Sequence, residues 1–130
     1  MYVLDTNTLI YFFKGKGRVA ERMFIEEPAN IGIPAIVLFE LETGISKSAS
    51  PRKRSRQLKS LLQATRLIPF SVKEAKASAL IRAHLEKRGI GIGPLDVLIA
   101  GTAVANQGVL VSHNLAEFER IDGLNTEDWY

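Results

Sequence analysis

The sequence predicts a single α/β domain built on a parallel sheet, and three observations carry that prediction. Short apolar runs suited to buried strands alternate with longer segments of helical periodicity. At 130 residues the chain is long enough for one real core and too short for two. No repeat, low-complexity tract or interdomain linker breaks it, so residues 1–130 read as one unit.

Residues 2–5 read as the first strand and 7–13 as a short helix ending at the breakers Gly15 and Gly17. A second helix is expected over 19–26. Residues 29–33 form a strand stopped by Pro34, which suits an early helix position. The helix of 36–45 carries Ile36, Val37, Phe39, Leu41 and Ile45 and leaves little polar surface. A loop over 46–50 with Pro51 leads into a basic helix at 53–64, and 66–70 is another short strand. Ser71-Val72-Lys73-Glu74 has the capping-box form, and its helix runs towards Gly89, a natural C-terminal stop. The glycine-rich stretch from Ile90 to Pro94 opens a helix over 95–106. After the Gln107-Gly108 turn come a strand at 109–112 and a short helix or turn at 115–121. Four or five strands in this alternation imply a central parallel sheet covered by helices on both faces.

Composition narrows the chemistry. The chain has no cysteine, which excludes disulfides, zinc–thiolate sites and thiol catalysis and suits a reducing, cytoplasmic setting. No signal peptide and no apolar run of bilayer-spanning length is visible, so no membrane is expected. Net charge is +3, but eight of the seventeen bases fall between Thr43 and Lys73, where there is no acid. The rest of the chain carries nine bases against fourteen acids. A one-sided distribution of this kind favours a polyanion meeting one surface, although a basic run by itself is most simply a solvated helix face. Arg52, Lys53, Arg54, Arg56 and Lys59 are the residues expected to grip a nucleic-acid backbone.

Three acids stand where a carboxylate is expensive. Asp5 closes the first strand, at the sheet edge where ligands gather in open α/β folds. Glu40 and Asp96 lie in strongly apolar helical segments. Each has a plain structural alternative. Asp5 starts a helix capped by Thr6 or Asn7, Asp96 answers the helix dipole, and both Glu40 and Glu42 are solvated. Glu42 lies about 200° from Glu40 round the helix, so one should face the core side and the other solvent. Gly44, one turn beyond Glu40, leaves room for a close neighbour or ligand. A hard divalent cation with oxygen ligands would explain all three acids together, and its chemistry needs no general-base histidine. His84 reads as structural, and His113 as a surface residue that could contact phosphate. Tyr11, Phe12 and Phe13 read as a core or dimer stripe in preference to a base-stacking one.

In order and spacing, Asp5-Thr6-Asn7, Glu40-Leu41-Glu42-Thr43-Gly44, the run from Gly93 to Ala100 and Leu110-Val111-Ser112-His113-Asn114 resemble the PIN-domain ribonucleases. Among these, the VapC-type toxins of toxin–antitoxin pairs are the nearest in appearance, and the ending through Trp129 shares that look. The resemblance implies a doubly wound sheet, a homodimer, Mg²⁺- or Mn²⁺-dependent RNA cleavage and a VapB-like antitoxin that blocks the site. It implies Asp5, Glu40 and Asp96 as the acidic triad, with Asp5 and Asp96 as direct metal ligands. Thr6, Asn7 and Ser112 are implied as supports of the site. Many PIN domains carry a fourth acid after the last strand, where this chain has Asn114. Either Asn114 or Glu117, one helical turn on, takes that place, which favours one firmly held ion over two. Transfer RNA, the initiator species included, is a candidate substrate. The competing classes are a phosphotransfer enzyme using Asp5 and a catalytically silent RNA-binding or scaffold module. The first wants a second Asp where Asn7 stands, and the second wants a missing triad acid, yet all three are present.

Overall fold

In the computed structural model, which describes residues 1–130, five parallel strands lie in the order β3-β2-β1-β4-β5. They are β1 (Tyr2–Leu4), β2 (Ile31–Pro34), β3 (Arg66–Ile68), β4 (Val109–Val111) and β5 (Asn125–Glu127). Seven helices join and cover them: α1 (Thr6–Lys14), α2 (Val19–Ile25), α3 (Ala35–Ser46), α4 (Pro51–Ala64), α5 (Val72–Lys87), α6 (Pro94–Ala105) and α7 (Leu115–Phe118). β1 is central because its apolar side chains need cover on both faces: Val3 and Leu4 are fully buried, beside Leu110 and Val111 of β4.

From β1 the chain winds outward through β2 to β3, then crosses back to place β4 and β5 on the other side. Right-handed crossovers in opposite directions put helices on opposite faces and open a switch point between β1 and β4 at their carboxyl ends. There the Asp5 backbone N–H donates to the Val111 carbonyl at 3.1 Å.

α6 is held firmly against α5. A Cβ on Gly101 would lie 2.8 Å from the Ser78 Cα, so only a glycine lets the two backbones come this close. Glu74 is fully buried, and its carboxylate accepts from the Ser71 backbone N–H and from Asn106 Nδ2, each at 3.0 Å. Burial alone would raise its pKa, but the bonds from Ser71 and Asn106 hold it below the ordinary value. The start of α5 is thereby tied to the end of α6, whose first turn carries Asp96.

Several expected boundaries shift. β5 has no apolar alternation to announce it; main-chain pairing with β4 makes it a strand. Residues 28–30 form a 3-10 turn, so β2 starts later than expected. Pro34 ends β2 and occupies the N-cap position of α3 instead of entering the helix. Pro51 opens α4 instead of belonging to the loop. Tyr11, Phe12 and Phe13 are partly buried against the core. No helix is long and apolar enough to cross a membrane.

Candidate active site at the carboxyl end of the sheet

Asp5 follows β1 directly and caps α1, its Oδ1 accepting from the Thr8 backbone N–H at 2.9 Å. The cap is therefore Asp5 itself and not Thr6 or Asn7, and capping does not exclude a site role, because the second carboxylate oxygen is not used by the cap. Only 5% of Asp5 is exposed. Burial pushes its carboxyl above the ordinary 3.8, against hydrogen bonds from Ser112 and Thr8 that pull it down, and the charge of Glu40 adds to the rise.

The surrounding polar groups lock this corner. Ser112, fully buried at the end of β4, hydrogen-bonds the Asp5 side chain and accepts from the Asn114 backbone N–H at 3.0 Å. Thr8 Oγ1 donates to the Val111 carbonyl at 3.1 Å. Thr8 is a support that sequence reasoning missed. Its signal, a hydroxyl three residues after the capping acid, was present beside Thr6 and Asn7. Thr6 Oγ1 donates to Glu40 Oε1 at 2.6 Å, whereas Asn7 is exposed.

Glu40 is half-buried on α3 and Glu42 exposed, the division that helical spacing predicts. Asp96 is half-buried in the first turn of α6, and its carboxyl is pushed up to about 6 by burial, then by the charges of Glu117, Asp5 and Glu40. All four carboxylates therefore share one electrostatic neighbourhood. Glu117 Oε1 accepts from the Gly93 backbone N–H at 2.9 Å, and Asn114 Nδ2 donates to its other oxygen. Asn114 thus holds Glu117, and it is the Glu117 charge that acts on Asp96.

No lysine, arginine or histidine lies within salt-bridge reach of Asp5, Glu40, Asp96 or Glu117. Like charges at a partly desolvated edge with no internal counter-ion fit a cation from solution. The donors are all oxygens, which selects a hard ion such as Mg²⁺ or Mn²⁺. No three acidic or histidine side chains already converge as a ligand cage. Mg²⁺ needs only one or two carboxylates as direct ligands and keeps several waters. Gly93 leaves space beside Asp96: a Cβ there would sit 3.1 Å from Asp96 Oδ2.

The remaining candidates fall around this edge. Arg54 lines a cleft together with Glu40, while Arg52, Lys53, Arg56 and Lys59 are exposed on α4, whose Leu58 and Leu61 face the core. None of the five pairs with an acid. His113 is engaged elsewhere, with Nδ1 at 2.9 Å from Asp128 Oδ2 and its ring stacked on Tyr130 at 4.2 Å. His84 is exposed beside Asp122, 3.2 Å away.

A doubly wound sheet whose carboxyl edge gathers four acids and no general base is the architecture of a metal-dependent nuclease domain. The family model described as PIN domain matches residues 2–124, and the chain belongs to that family. It is 34% identical over 128 residues to the tRNA(fMet)-specific endonuclease VapC of Salmonella typhimurium, covering 98% of this chain and 97% of that protein. It is 36% identical over 131 residues to ribonuclease VapC2 of Rickettsia felis, covering 99% and 98%. Among solved structures, VapBC2 of Rickettsia felis bound to a promoter DNA fragment superposes with a TM-score of 0.92 at 34% identity, covering 99% of this chain and 98% of that one. DNA-bound VapBC of Salmonella typhimurium superposes equally well.

Proposed function

We propose that residues 1–130 act as one PIN domain, a Mg²⁺-dependent endoribonuclease toxin (Mn²⁺ substituting) that hydrolyses RNA phosphodiester bonds. The observation that carries this reading is the four-carboxylate edge with no cation of its own beside a helix of unpaired bases. Transfer RNA, the initiator species foremost, is the proposed substrate, supported by the relative named tRNA(fMet)-specific endonuclease VapC. A VapB-like antitoxin is the proposed partner, supported by the VapBC complexes of similar fold, and the chain is proposed to work as a homodimer in the cytoplasm.

Asp5 and Asp96 would hold the cation directly, with Glu40 and Glu117 setting the charge around it. When bound, such an ion neutralises charge on the phosphate and lowers the pKa of water, which makes a general-base histidine unnecessary. Ser112 and Thr8 fix the Asp5 carboxylate, Thr6 orients Glu40, and Asn114 with the Gly93 N–H orients Glu117. Arg52, Lys53, Arg54, Arg56 and Lys59 draw in the RNA backbone and supply affinity without reading sequence.

The test incubates the purified chain with unfractionated transfer RNA and Mg²⁺ beside an Asp5→Asn variant. Cleavage by the parent alone is expected. Equal cleavage by both removes the carboxylate mechanism, and RNA binding without cleavage by either assigns the chain to the catalytically silent modules.

A further inference from the structure

Next to Glu40 lies a cleft of about 330 Å³, between the end of α1, the outer turns of α3 and the start of α4. Ile10, Leu41 and Ile45 give it an apolar lining, while Lys14 and Arg54 add two positive charges. Neither cation is within salt-bridge reach of a carboxylate, although Glu40 lines the same cleft. Gly44 also lines it, and a Cβ there would meet no atom within 4 Å. Glycine inside a helix is less stable than alanine, so the open space beside Glu40 is kept against helix propensity.

We infer that this cleft is a nucleotide subsite. It takes an unpaired nucleotide of the bound RNA beside Glu40, with Lys14 and Arg54 on its phosphate and the sugar or base against the apolar lining. The inference rests on the ribonuclease reading only in requiring that the chain bind RNA. Its size falls in the usual range of ligand pockets, roughly 300–1,000 Å³. A bare phosphate would have no use for the apolar lining, and an apolar protein segment would cover two cations without answering their charge. A nucleotide satisfies both halves, and Glu40 places it next to the cleavage edge.

Binding is measured with labelled unfractionated transfer RNA in an Asp5→Asn background, so that the probe is not consumed. Gly44→Leu fills the cleft from a position with free space, and its melting temperature should match or exceed the parent's. Gly44→Leu, Lys14→Gln and Arg54→Gln should each weaken binding by about tenfold, the effect of losing a charge-assisted contact or its room. The two charge variants should also flatten the salt dependence, and Gly44→Leu should not. Lys76→Gln, an exposed charge on α5, should change nothing. A folded Gly44→Leu protein that binds like its parent overturns the subsite, as does a Lys76→Gln effect equal to that of Lys14→Gln. If the wild-type chain cleaves RNA but these effects are absent, the subsite alone falls. If they appear while wild type cleaves nothing, the subsite stands and the catalytic reading falls.

Discussion

Thr6 Oγ1 donates a 2.6 Å hydrogen bond to Glu40 Oε1, tying the first turn of α1 to the middle of α3 at the carboxyl edge of the sheet. Glu40 has no cationic partner, so this bond is what fixes its orientation. Thr6→Val keeps the shape and removes the donor. Supports of this kind are typically worth about 10–100-fold in metal affinity or activity. We expect a loss of that order in cleavage rate, with the melting temperature nearly unchanged and Thr6→Ser restoring the rate. Full activity of the Val variant would remove Thr6 from the site.

Asp96 makes the edge sensitive to pH. Its folded-state carboxyl is pushed up to about 6 from an ordinary 3.8, by burial first and then by Glu117, Asp5 and Glu40. The folded chain therefore binds this proton more tightly than the unfolded chain. The stability it contributes is complete below about pH 4 and lost as pH rises through about 6. In the metal-free protein, Asp96→Asn should raise the melting temperature by a few degrees at about pH 8 and much less at about pH 4. Divalent-cation affinity of the parent should rise with pH through the same window, because the ion must displace the proton. Equal Asp96→Asn gains at both pH values, in paired melting curves, would contradict this.

Asp5, Glu40 and Asp96, which the fold brings into one electrostatic neighbourhood, were legible as candidates because each breaks a local rule: a carboxylate at a strand end or within an apolar helix needs a reason. α4 was legible by charge, and α5 by the Ser71–Glu74 capping box. β5 was not, since Asn125-Thr126-Glu127 is a strand only through its main-chain bonds to β4. Thr8 escaped because a threonine inside a helix looks the same whether it serves its own turn or Val111, more than a hundred residues away. Lys14 escaped for a related reason: its place beside Arg54 depends on how α1 packs against α3 and α4. Long-range pairing hid these residues, and local chemistry revealed the acids.

Glu117 and Asn114 separate by the same logic. Glu117 receives the Gly93 N–H and the Asn114 amide, and its charge ranks next after burial in raising Asp96. Glu117→Gln should lower the Asp96 pKa and weaken cation binding by about 10–100-fold, read by calorimetric titration with Mg²⁺ or Mn²⁺. Asn114→Ala should weaken it less, because the Gly93 N–H still holds the carboxylate. If Asn114→Ala proves the more damaging of the two, Asn114 and not Glu117 fills the fourth position.

The exposed bases of α4 should act on affinity and not on chemistry. Arg52, Lys53 and Arg56 are exposed, whereas Leu58 and Leu61 bury the opposite side of the helix. Replacing all three by Gln leaves that packing intact. Each lost phosphate contact removes about 0.7–0.9 from the slope of log affinity against log salt. The triple variant should thus lose roughly two units of slope and bind weakly at low salt. Its cleavage rate at saturating RNA should stay near the parent's, because none of the three lines the Glu40 cleft. An unchanged slope would show that the RNA follows another surface, and a collapsed saturating rate would place these bases within the catalytic edge.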